Sequence, residues 1–186
     1  MAFNINEIKG QLVTGGARPT LFDCIITAPA GVGLALQKLE FMARATQLPA
    51  TNLGLIQIPY FGRKIKLAGD RTFDPWSVTI MNDEDFTIRD SMEAWNMSIN
   101  TMEGNLRTQI GAENLYKSDA YITQYSKDGH AIRQYTFKGI FPETVSTIDL
   151  DWNANDQIEE FQVQFQYDYF TVEAISGARR APEYNI

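Results

Sequence analysis

The chain has 186 residues, 44% of them hydrophobic and 12% aromatic, with a formal net charge of −7. That length suits one domain whose core needs no metal or disulfide to fold, and a single cysteine, Cys24, excludes an intrachain disulfide. The acidic balance argues against a surface that grips nucleic acid, which needs clustered Lys and Arg. No apolar run reaches the ~18 residues of a membrane helix, and the opening residues lack the basic and apolar regions of an export signal, so a soluble, unexported protein is expected.

Residues 1–19 read as an extended N-terminal arm. Gly10, Gly15, Gly16 and Pro19 punctuate it, no period persists, and Phe3, Ile5 and Ile8 give it something to bury. Residues 20–27 (TLFDCIIT) read as a strand and 28–33 as a loop. A second strand is expected from about Lys38, where Leu39, Phe41 and Ala43 alternate with Glu40, Met42 and Arg44.

Residues 49–70 stand apart as an excursion from the domain. Ile56 and Ile58 alternate around Gln57, Pro59 interrupts, and Ile65 and Leu67 alternate with Lys64 and Lys66, so two short strands around Pro59-Tyr60-Phe61-Gly62 form a hairpin-like segment. Residues 76–81 (WSVTIM) are a clear β run. A helix over about residues 84–103 follows, with Ile88, Met92, Trp95, Ile99 and Met102 at steps of three and four. Asp83, Glu84 and Asp85 stand where a helix start favours anions and caps, and Gly104 is a suitable stop.

The last third is β. Residues 120–126 and 131–137 flank Lys127-Asp128-Gly129-His130, and the Asp-Gly pair signals a tight turn. Residues 144–150 make a weaker strand. Residues 157–170 read as the longest strand, with Phe161, Val163, Phe165, Tyr167 and Tyr169 on one face and Gln162, Gln164, Gln166 and Asp168 on the other. Residues 176–186 form a C-terminal arm. The fold expected is mainly β: one domain over 1–186, a β-sandwich or open barrel with one packed α-helix.

Catalytic chemistry is hard to assemble. His130 is the only histidine and sits in a turn, and Cys24 lies in an apolar run where a buried inert thiol is the simpler reading. Asp83-Glu84-Asp85 lacks the ligand spacing of a calcium loop, and capping explains it better. The glycines at 15–16 and 31–33 lack the Lys-Ser/Thr ending of a phosphate loop. No catalytic residue, cofactor or metal site is expected. Arg63, Lys64, Lys66 and Arg71 form the densest basic patch, read as a surface docking on an acidic neighbour or as edge-strand lysines that block stray pairing; DNA contact is the weaker third reading, since no aromatics alternate through the patch and the chain is acidic. The uncharged glutamine row on one face is unusual for a solvated sheet, which ordinarily carries Lys, Glu and Thr.

The order of the strings ARPTLFD, QLPA, PYFGRKIKLAGDR and WSVTIMNDEDFTIRD, within FNINEIKG to SMEAWNMSIN, resembles the tail tube proteins of contractile-tailed bacteriophages over nearly the first hundred residues, and more loosely beyond. The resemblance implies a non-enzymatic structural subunit. It implies hexameric rings whose strands join into a continuous barrel, stacked into a tube inside a contractile sheath and meeting baseplate and tail terminator proteins. It implies a place in the virion tail, assembly in the bacterial host cytoplasm, and a lumen through which genomic DNA passes without specific binding. The channel wall should then be acidic or neutral-polar. The alternatives are an inner tube protein of a type VI secretion or related contractile injection system and, in a different class, a monomeric β-barrel binding module. Leu53, Leu55, Ile56, Ile58, Tyr60, Phe61, Arg63, Lys64 and Lys66 are the expected subunit-interface residues, because so much apolar surface does not stay in water on a free loop. The competing reading folds the hairpin onto its own domain.

Overall fold

The computed structural model describes residues 5–12, 16–29, 36–107 and 115–175. The expected C-terminal arm at 176–186 and the Gly31-Val32-Gly33 loop lie outside the described residues, as do residues 1–4 and 13–15 of the expected N-terminal arm. Among the described residues nine strands and three α-helices follow in the order α1 (Ile5–Gln11), β1 (Phe22–Ile26), a 3-10 turn (Leu36–Lys38) leading into α2 (Leu39–Met42), β2 (Ala43–Thr46), β3 (Asn52–Tyr60), β4 (Arg63–Thr72), β5 (Trp76–Met81), α3 (Thr87–Ile99), β6 (Ser118–Tyr125), β7 (Ala131–Val145), β8 (Glu160–Gln166) and β9 (Tyr169–Ala174).

Seven of the strands form one antiparallel sheet in the order β1-β6-β7-β8-β5-β2, with β9 paired to β7. The 15-residue β7 is the pivot. Its first part pairs with β6 and β9, and its last part, Phe141 to Val145, pairs with β8. The sheet thus folds into two leaves that share β7. Gly139 sits at the fold line with φ +69°, and a Cβ there would meet the Asp168 carboxylate, so the position strongly favours glycine. β1 and β2 end the sheet without pairing to each other, which leaves the barrel open.

The alternation of β5 and β8 makes the core. Trp76, Val78 and Ile80 face Phe165, Val163 and Phe161 across the pair, and all six are buried. Trp76 stacks on Phe137 of the other leaf at 4.5 Å, and Phe137 meets Tyr167 edge-on at 5.0 Å. Helix α3 lies on this interior through Ile88, Met92 and Trp95. The two buried indoles are satisfied, as burial requires: Trp76 Nε1 donates to Thr46 Oγ1 at 2.8 Å and Trp95 Nε1 to the Tyr116 carbonyl at 2.7 Å.

The mainly β architecture with a packed helix agrees with the sequence expectation, and five local readings do not. The N-terminal arm holds a helix at 5–11, with Ile5, Ile8 and Leu12 at helical spacing on a face left exposed. Residues 39–42, expected as strand, are helical, and the strand begins at Ala43. The main helix spans 87–99 instead of 84–103, since Asn100 turns extended before Met102 and Gly104 are reached. Residues 146–150 are irregular, because β7 ends at Val145. The run 157–170 is two strands broken at Tyr167-Asp168, where the Asp168 N–H bonds the Lys138 carbonyl and turns the chain onto the other leaf.

The acidic start of α3 has a different role from simple capping. Phe86 is the cap residue, left-handed at φ 51° and without a side-chain cap bond. Asp85 accepts from the Thr87 N–H at 3.1 Å, and Lys38 pairs with both Asp83 and Asp85. The bonds to Lys38 and to the Thr87 N–H hold the Asp85 carboxyl at about 2, and Asp83 is lowered for the same first reason. This bridge ties the 36–42 segment to the start of α3.

Candidate assembly surfaces

β3 and β4 form a two-stranded sheet of their own. Their register is Tyr60 with Arg63, Pro59 with Lys64, Ile58 with Ile65, Gln57 with Lys66, Ile56 with Leu67 and Leu55 with Ala68. Opposed residues of an antiparallel pair share a face. One face therefore carries Ile56, Ile58, Tyr60, Ile65 and Leu67, with Arg63 at its tip. The other carries Leu55, Gln57, Pro59, Ala68, Lys64 and Lys66. Sequence order suggested an apolar tip on a basic stem, but the register sorts the two chemistries by face. Pro59 lies inside β3 and does not interrupt it. Leu53 pairs with Arg71 beyond a register shift.

Nearly every side chain of this hairpin is exposed. A lone two-stranded ribbon is marginal in water, and here it also presents a full apolar face to solvent. The tip adds a further oddity. Phe61 and Gly62 form the two-residue turn with φ of 42° and 77°, the geometry that favours Asn-Gly. A bulky residue there costs on the order of 1–3 kcal/mol, yet Phe61 is 91% exposed and touches chiefly its neighbour Tyr60, edge-on at 4.7 Å. A strained aromatic ring held in water makes sense as a group presented to a partner.

The remaining candidates divide clearly. His130 is exposed in the β6–β7 turn, bonded through its backbone to Ser126. Cys24 is buried in β1, and burial pushes its thiol far above the ordinary range, which suppresses the reactive thiolate. The glutamines of β8 lie on the outer face of their leaf. With Ser77, Thr79 and Thr144 they make its centre uncharged and polar. The outer face of the other leaf carries Asp23, Asp119 and Glu173 against Lys138.

One surface escaped the sequence reading. Residues 147–160 wrap a groove of about 990 Å³ closed off by Arg44 and Met81. Residues 146–160 hold five carboxylates and no Lys or Arg. Trp152 on this loop is 100% exposed, and Leu150 and Ile158 are also in water. The signal in the sequence was the charge run with a lone tryptophan. It was masked by the alternation of Ile148 and Leu150 with polar neighbours, which imitates a strand.

Comparison with known proteins places the chain in a family. The model of the phage tail tube protein family matches residues 17–173. Tail tube protein gp19 of Enterobacteria phage T4 is 37% identical over 155 residues, which is 83% of this chain and 90% of that protein. Among solved structures, the tube-terminating cap of the anti-feeding prophage superposes with a TM-score of 0.62 at 14% identity, over 86% of this chain and 92% of that one. The sheath–tube complex of an extracellular contractile injection system gives 0.57 at 15% identity, over 94% and 100%. The injection-system likenesses show the shared fold, whereas the sequence identity lies with the phage proteins. This chain belongs to the phage tail tube protein family, as a structural subunit of a tail tube.

Proposed function

We propose that the protein assembles into hexameric rings that stack into the inner tube of a contractile tail, formed in the host cytoplasm and carrying the genome to the host. The observation that carries this reading is the β3–β4 hairpin. Leu53, Leu55, Ile56, Ile58, Tyr60 and Phe61 leave apolar area in water that a second copy would cover, with Arg63, Lys64 and Lys66 setting the register of that contact. The open sheet ends, β1 and β2, offer unpaired strand edges that ring closure would satisfy.

The tube needs no chemistry of its own, and we assign it no catalytic role. Six copies of net charge −7 carry −42. Both outer sheet faces suit a channel wall for DNA: one is neutral and polar, and the other has three carboxylates against one lysine. Screening limits such charges to about 8 Å at physiological salt, so the effect is low adhesion at the wall. Sheath, baseplate and terminator proteins are the expected partners, since neighbours of this fold occur in sheath–tube, terminator and baseplate assemblies.

Negative-stain microscopy of the purified protein at high concentration tests the reading. Six-fold rings or tubes are expected. A persistent 21.0 kDa monomer at every concentration contradicts it and returns the protein to the class of monomeric binding modules.

A further inference from the structure

We propose that the acidic groove beneath residues 147–160 is the receptor for the β3–β4 hairpin of a second copy; this rests on the hairpin being a docking element. The two surfaces match in both chemistry and sign. The hairpin residues 52–72 hold Arg63, Lys64, Lys66 and Arg71 against one carboxylate, Asp70, a net of +3 in a chain of net −7. The groove collects Asp149, Asp151, Asp156 and Glu159. Arg44, the cation on its rim, is already paired with Glu160. No cation pairs with those four carboxylates among the described residues, although Asn82 Nδ2 donates to Glu159 at 3.0 Å.

The apolar parts match as well. Phe61 and Tyr60 stand in water at the hairpin tip, and Trp152 and Ile158 stand in water at the groove. Aromatic anchors flanked by complementary charge are the usual make-up of a specific contact. No hairpin residue lines the groove of its own chain, so a hairpin that fills it would come from another copy. The contact joins two different patches, and a docked pair leaves one free hairpin and one free groove. Such a head-to-tail contact propagates and does not stop at a dimer.

Reciprocal charge reversal tests this. The hairpin variant Lys64→Glu/Lys66→Glu and the groove variant Asp151→Lys/Asp156→Lys should each stay folded by circular dichroism, and each should need at least about tenfold more protein to polymerise. A 1:1 mixture should polymerise near the parent concentration, because each acidic hairpin then meets a basic groove and each basic hairpin an acidic one. If the hairpin variant polymerises like the parent, the hairpin is not a docking element and this proposal falls, whereas a parent that forms no rings or tubes at any concentration overturns the functional reading itself. If the hairpin variant fails and the mixture fails too, the hairpin docks elsewhere and the groove assignment alone is overturned. Should the groove variant unfold, Asp151→Asn/Asp156→Asn keeps the local acceptors and should still weaken assembly several-fold. A Phe61→Cys/Trp152→Cys chain, oxidised after assembly, gives a separate readout, since Cys24 is buried. A ladder of cross-linked copies supports the contact, and assembled tubes without cross-links overturn it.

Discussion

β5 and the β3–β4 hairpin obey the same pattern and meet opposite fates. In β5, Trp76, Val78 and Ile80 alternate with Ser77, Thr79 and Met81, and every second side chain is buried. In the hairpin, Ile56, Ile58 and Tyr60 alternate as cleanly, and all three are exposed. Alternation creates a face with an affinity for apolar surface. It does not say whose surface. For β5 the second layer is its own chain, through Phe137 and α3. For the hairpin no covering layer is found among the described residues, and the apolar face stays exposed.

Mutations on the two faces should therefore separate folding from assembly. Trp95→Ala removes a fully buried indole and leaves the Tyr116 carbonyl without its donor. It should cost about 3–5 kcal/mol of stability, read as a large fall in Tm. Ile58→Ser with Ile65→Ser, on the hairpin's apolar face, should shift Tm by little. Both residues are already about half buried, so each stands to lose about 0.7–1.5 kcal/mol of docking free energy, and polymerisation should need about tenfold more protein, measured by sedimentation. A matching collapse in Tm would show that the hairpin packs within its own chain.

The same contrast explains what was legible beforehand. β5, β6 and the hairpin were readable because local alternation and turn residues suffice to define them. The glutamine face of β8 was readable as well. The break at Tyr167-Asp168 was not, because alternation runs unchanged through it; the turn depends on Gly139 and Lys138, about thirty residues earlier, receiving Asp168. Helix α1 was missed because Gly10 outweighed the spacing of Ile5, Ile8 and Leu12, although a helix tolerates one glycine for about 1 kcal/mol. At the site, the apolar and basic content of 49–70 was plain, but its division into two faces needed the register, which the Phe61-Gly62 turn sets. The groove at 147–160 is a tertiary product: Arg44 and Met81 close it from distant strands.

Smaller effects sharpen the comparison further. Phe61→Asn relieves the left-handed strain at the turn and should stabilise the isolated hairpin by up to about 1 kcal/mol, seen as stronger amide protection by hydrogen exchange. The same change removes the exposed ring and should weaken assembly. Improved assembly would show that Phe61 is not a contact residue. The smallest effect concerns the Lys38 bridge. Asp83 and Asp85 are lowered from 3.8, so their contribution is present above that value and is lost as pH falls, for Asp85 through about 2. Lys38 is raised above 10.5, so its contribution is present below 10.5 and fades at higher pH. The Tm gap between the parent and Lys38→Met should be small, as for exposed pairs, level from about pH 5 to 9, and clearly smaller at pH 2. A gap undiminished at pH 2 would assign the lysine a packing role instead.

The central claim is that the hairpin joins copies and leaves the fold of each copy alone. Replacing Arg63, Lys64 and Lys66 by Glu in one chain, followed by circular dichroism and negative-stain microscopy on the same sample, tests it most directly. The account predicts an unchanged spectrum, a cooperative melt close to the parent, and tubes that are absent or form only under strong salt dependence. A folded triple variant that builds tubes like the parent would contradict it.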